Sequence, residues 1–154
     1  MMKGEKMRIL VIHGPNMNLL GEREPEIYGE TTLENLNLEI TQYAWQRGIQ
    51  VECFQSNHEG SIIDFIHENR NSADGMIINP AALTHYSFAL HDAIKAVGMP
   101  AVEVHLSDIQ NREAFRKISV TAPACITQIS GKGRMSYLEG MATLIKHLGG
   151  GGKK

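Results

Sequence analysis

Four residues carry types and spacings that could move a proton: Tyr28, Arg23, Glu103 and His105. Tyr28 and Arg23 share one long loop, from His13 to Gly29, with the amides Asn16 and Asn18. A free phenol is ionised to about one part in a thousand at neutral pH. A neighbouring guanidinium stays charged and favours the phenolate, so the pair could form a base. A tyrosine packing the loop onto the domain, beside a solvated arginine, is the plainer reading of the same two residues. Glu103 and His105 stand two apart in an apolar run, and on a strand such residues face the same way. A carboxylate beside an imidazole favours the protonated ring, which could give its proton to a leaving group. A structural Glu–His hydrogen bond is the alternative. Together the groups could bind and deprotonate a small polar molecule.

Short apolar runs alternate with amphipathic ones, and these must position the groups. Strands are expected at residues 8–13, 49–55, 75–79, 101–106 and 124–130. Helices are expected after the Thr31-Thr32-Leu33-Glu34 capping pattern to Gly48, then at 61–69, 87–97, 111–117 and 135–148. Strict alternation predicts one α/β domain over residues 1–148, with a lid loop at about 21–30. The expected fold is a flavodoxin-like five-stranded parallel sheet in the order 2-1-3-4-5, with helices on both faces. Ligands of such sheets bind outside the carboxyl ends of the strands, where the order reverses. That edge should gather His13, Asn16, Arg23 and Tyr28 from strand one, and Asn57, His58 and Glu59 from strand two. Asn79, Thr84 and His85 follow strand three; Glu103, His105 and Ser107 come from strand four. Arg112 and Arg116, at i and i+4, should share one face of the short helix and could grip an anion.

The bulk numbers exclude several classes. The chain has 154 residues, 42% hydrophobic and 21% charged, which suits one domain with a real core. A net charge of −2 leaves no basic footprint for nucleic acid. The first residues lack an apolar signal core, and no run is long enough to span a bilayer. Cys53 and Cys125 lie in separate apolar runs and read as small hydrophobes of a reducing cytoplasm. Residues 149–154 read as a flexible tail. A metal site from His58, His85 and His105 lacks tight ligand spacing on one element. Gly131-Lys132-Gly133-Arg134 lacks the phosphate-loop spacing and reads as a tight turn.

The ordered motifs resemble the type II 3-dehydroquinate dehydratase family over nearly the whole chain. They are Gly14-Pro15-Asn16-Met17-Asn18-Leu19-Leu20-Gly21, Arg23-Glu24-Pro25, Ile27-Tyr28-Gly29, Gln55-Ser56-Asn57-His58-Glu59-Gly60, Ile78-Asn79-Pro80, Thr84-His85, Glu103-Val104-His105-Leu106-Ser107 and Arg112-Glu113-Ala114-Phe115-Arg116. The resemblance implies conversion of 3-dehydroquinate to 3-dehydroshikimate and water, in the shikimate pathway to aromatic amino acids. It implies an anti elimination through an enolate, with no Schiff base, metal or cofactor. Tyr28 then matches the base and Arg23 the cation that promotes its ionisation. His105 matches the acid, with Glu103 as its partner, and Asn16 the amide at the enolate. Asn79, His85 and Arg116 match substrate-binding positions, and the amides of Leu106 and Ser107 a carboxylate cradle. Arg112 matches a lid position. Asp92 matches a residue that reaches a neighbouring subunit's site, within trimers that build a dodecamer.

Some positions depart from the common pattern. His13 stands where Asn is usual, Leu83 where Tyr is frequent, and His91 where Arg often precedes Asp92. Asp108 replaces Asn after His-Leu-Ser and should bring negative charge near the substrate carboxylate. A flavodoxin-like binding or receiver module without catalysis is the reading from another class. Against it, residues 14–21 lack the hydroxyls of a flavin phosphate loop, and strand three ends in Asn79 rather than a phospho-accepting Asp.

Overall fold

A computed structural model describes residues 6–22, 26 and 31–152 of the chain. Arg23, Tyr28 and most of the expected lid lie outside the described residues. The elements run β1 (Arg8–His13), α1 (Leu33–Trp45), β2 (Gln50–Gln55), α2 (Glu59–Glu68), β3 (Gly75–Asn79), α3 (Phe88–Val97), β4 (Ala101–Val104), β5 (Thr127–Ile129) and α4 (Arg134–Gly152). The strands form one parallel sheet in the order β2-β1-β3-β4-β5, as expected from the alternation.

Strand periodicity splits the core between the two faces of the sheet. Ile9, Val11, Ile77, Val102 and Val104 pack under Leu36 and Ile40 of α1 and Tyr137, Met141 and Leu144 of α4. Leu10, Ile12, Met76, Ile78 and Ala101 pack under Ile62 and Ile66 of α2 and Leu90 and Ile94 of α3. Both faces of β1 and β3 are buried, so these strands read as continuous apolar runs. Their register aligns His13 of β1 with Gln55 of β2 and with Asn79 of β3, which sets three polar side chains at one sheet edge.

Local signals place the helices. Thr32 caps α1 by accepting from the Asn35 amide at 3.1 Å, one residue later than the Thr31 cap that the capping box implied. Ser87 caps α3 through the Leu90 amide, and Gly98 ends it in the left-handed conformation at φ 69°. Two expectations fail. The helix at 111–117 is replaced by separate 3-10 turns at Ile109–Asn111 and Ala114–Lys117, with Arg112 extended between them. Seven residues are too few to sustain an α-helix without a packed face, and short 3-10 pieces serve instead. Residues 149–152 continue α4 instead of starting a free tail. Extending a formed helix needs no new nucleus, which offsets the poor propensity of glycine.

Candidate active site

The sheet's carboxyl edge opens into a cleft between the β1 loop, the turn after β3 and the segment after β4. Pro15, Asn16 and Met17 line one wall, Asn79, Ala81, Ala82 and His85 the next. His105, Leu106, Ser107, Ile109, Arg112 and Arg116 complete it. The β1 loop is pinned against β3. The Gly14 amide donates to the Asn79 carbonyl at 2.8 Å, and a Cβ on Gly14 would sit 2.4 Å from the Pro80 carbonyl oxygen. Only glycine permits that approach. Gln55 donates to the Gly14 carbonyl and to Asn57 Oδ1, which in turn accepts from the Asn16 amide at 2.9 Å. Asn16 is thereby held left-handed at φ 72°, with its side chain exposed to the cleft.

His105 forms part of the floor, and Glu103 lies completely buried behind it. His105 Nε2 donates to Glu103 Oε2 at 2.8 Å. The same carboxylate accepts from Ser119 Oγ at 2.8 Å, from Gln128 Nε2 at 2.7 Å and from Thr121 Oγ1. Gln128 reaches it because β4–β5 register sets Glu103 directly opposite. Burial alone would raise the Glu103 carboxyl. The hydrogen bond and charge of His105, with Thr121 and Gln128, outweigh burial and hold it below the ordinary carboxylate range. A fixed anion therefore orients the ring through Nε2, leaving Nδ1 for a ligand.

The remaining polar groups suit an anionic guest. Arg112 donates to Ser107 Oγ at 3.1 Å, and Arg116 pairs with Glu113 at 3.2 Å. The Leu106 and Ser107 carbonyls accept from Gly133 and Gly131 at 3.0 and 3.1 Å, so the tight turn fixes the peptides of that wall. His85 Nδ1 donates to the Ile118 carbonyl at 2.7 Å, which presents Nε2. Desolvation, then the charges of His105 and Arg116, push the His85 ring below its usual range, although the bond to Ile118 and Glu103 oppose this. Asn79 Oδ1 accepts from the Ala81 amide at 3.0 Å, holding that residue left-handed at φ 56°.

The description Dehydroquinase class II matches residues 7–145 as a family model. The chain belongs to the class II dehydroquinase family. It is 54% identical over 142 residues to the 3-dehydroquinate dehydratase of Geotalea daltonii, covering 92% of this chain and 99% of that one. It is 55% identical over 138 residues to the enzyme of the same name from Halothermothrix orenii, covering 90% and 93%. The crystal structure of type II dehydroquinase from Butyrivibrio crossotus superposes with a TM-score of 0.90 at 49% identity, covering 92% and 99%. The alternative of a non-catalytic module falls with family membership.

Within this class II dehydroquinase, Asn16, Asn79, His85, His105, Leu106, Ser107, Arg112 and Arg116 converge on one cleft, with Glu103 behind it. Arg23 and Tyr28 lie outside the described residues. Several expected neighbours are placed elsewhere. His13 shares the α1/α4 face with Ile9 and Val11 and is fully buried there, away from the cleft. His58 precedes α2 and does not line the cleft, and Thr84 is buried behind its wall. Among the described residues, no group of His, Cys, Asp and Glu could hold a metal ion. Asp92 is exposed on α3 and accepts from His91 at 3.0 Å, outside its own chain's cleft. Asp108 does not line the cleft: its carboxylate caps the following turn, accepting from the Gln110 amide and Asn111 Nδ2. Arg112 and Arg116 both line the cleft, but from an extended residue and the 3-10 turn that follows it rather than from one helix face. Sequence reading missed Ser119, Thr121 and Gln128, because nothing in spacing links them to Glu103.

Proposed function

We propose that this cleft binds 3-dehydroquinate and eliminates water from it through an enolate, as a step of the shikimate pathway. The observation that carries the reading is the buried Glu103–His105 pair at the floor of a cleft rimmed by Arg112, Arg116 and Ser107. In this reading the substrate carboxylate lies on the amides of Leu106 and Ser107. Asn79, His85 and Arg116 hold the ring substituents. Tyr28, as phenolate beside Arg23, takes the proton alpha to the ketone, and the electron pair moves onto the ketone oxygen. Asn16 stabilises that enolate, a preorganised contact of the kind worth about 3 kcal/mol. The enolate then collapses, the beta C–O bond breaks, and the departing hydroxyl takes a proton from His105. The products are an enone carboxylate and water; Tyr28 releases its proton and His105 regains one. Glu103 keeps the ring oriented and its charge balanced.

The exposed position of Asp92 fits a role in the cleft of a neighbouring copy, in a dodecamer built from trimers. Arg112 acts with the lid, whose closure brings Arg23 to Tyr28 and excludes water. Tyr28→Phe tests the chemistry. It should abolish turnover while circular dichroism and substrate binding persist, and substantial residual turnover would remove Tyr28 as the base.

A further inference from the structure

Among the described residues, four donors converge on the buried Glu103 carboxylate. Oε2 accepts from His105 Nε2 at 2.8 Å, from Ser119 Oγ at 2.8 Å and from Gln128 Nε2 at 2.7 Å, and Oε1 accepts from Thr121 Oγ1. The Ser119 oxygen itself accepts from the Ala122 amide at 2.9 Å, so its single hydrogen is left for Glu103. The segments that carry these donors are anchored without the carboxylate. Between Ser119 and Thr121, the Val120 amide donates to the Thr84 carbonyl at 2.8 Å, and the Ile118 carbonyl beside them accepts from His85. Gln128 belongs to β5, whose Ile129 carbonyl accepts from the His105 amide at 3.0 Å. A proton on Oε2 would confront three donor hydrogens, and one on Oε1 would confront that of Thr121, so the arrangement suits the anion alone. Burial opposes ionisation of Glu103, and the bonds from His105, Thr121 and Gln128 overcome it.

We propose that Ser119, Thr121 and Gln128 are positioning residues that hold Glu103 as an acceptor only, so that His105 keeps its Nε2 proton and exchanges protons with the substrate through Nδ1 alone. Glu103 is then a fixed counter-charge and takes no proton during the reaction. The ring cannot turn over without breaking its bond to Oε2, and Nδ1 stays aimed at the cleft. The inference rests on His105 as the acid, as proposed above.

Two measurements test it. In the unmodified protein, nitrogen NMR of the neutral His105 ring should show its proton on Nε2; an Nδ1–H tautomer overturns the proposal whatever the activity. Thr121→Val keeps the side-chain shape and removes the hydroxyl. It should lower kcat about tenfold with KM for 3-dehydroquinate within about twofold, because the acid acts in the transition state and not in binding. Thr121→Ser, which returns the donor, should restore kcat. Gln128→Met, close in shape and without a donor, should repeat the loss from a different strand. Unchanged kcat in Thr121→Val and Gln128→Met, with only a lower melting temperature, means the donors are structural and overturns the proposal. A loss that Thr121→Ser leaves in place overturns it as well. Absence of turnover in the native protein would instead sink the functional reading, leaving the NMR result to decide whether Glu103 is held as an acceptor.

Discussion

Glu103 is the residue on which stability and proposed chemistry depend together. Its carboxylate accepts from His105, Ser119, Thr121 and Gln128 in a buried setting. Glu103→Gln replaces an acceptor by an amide that must also donate, so at least one neighbour loses its partner. The expected cost is about 1–3 kcal/mol of unfolding free energy, with kcat at least about tenfold lower because His105 loses its anion. Denaturant titration beside steady-state kinetics checks both, and unchanged stability would contradict the saturated carboxylate. The pairing of Glu103 with His105 was legible because strand residues two apart share a face. The other donors were not, since Ser119 and Gln128 lie 16 and 25 residues away on other segments. His13 was misplaced for the opposite reason. Its position at a strand end suggested the cleft, while alternation along β1 turns it to the helix face with Ile9 and Val11.

The elements deliver these residues because three strand ends stop in register at His13, Gln55 and Asn79. Alternation of apolar runs sufficed to read the sheet order, since four crossovers of one hand leave few topologies. The arginine segment was less legible. A spacing of four suggests a helical face, but nucleation fails in so short a piece, and Arg112 extends to reach Ser107 instead. Gly14 shows the tightest constraint on an element end. Gly14→Ala would press a methyl against the Pro80 carbonyl, which belongs to backbone and cannot rotate away. The β1 loop should separate from β3, disordering Asn16 and Asn79 together. Melting temperature should fall and substrate affinity should drop; native values for both would contradict the close packing.

The molecule as a whole should be acid-sensitive for a reason written in its core. The buried His13 ring is lowered to about 4, against 6.5 when unfolded, so the unfolded chain takes up its proton first as pH falls. Its stabilising contribution is complete above pH 6.5, declines between 6.5 and about 4, and is gone below. At about 1.4 kcal/mol per pH unit, that is roughly 3 kcal/mol across the window. Glu103, held below the ordinary carboxylate range, adds loss in the same direction further down. Melting curves from pH 7 to 4 should show the decline, and His13→Asn should flatten its upper part. The free thiols stay out of this range, since burial pushes Cys53 up to about 11 and Cys125 to about 12. The central claim is an elimination through an enolate without a lysine adduct, and one assay addresses it. 3-Dehydroquinate is added to the purified full chain, with and without borohydride, and ultraviolet absorbance follows the enone carboxylate. Turnover that borohydride leaves unchanged is the predicted result; no turnover from folded protein, or turnover lost to borohydride, would contradict the account.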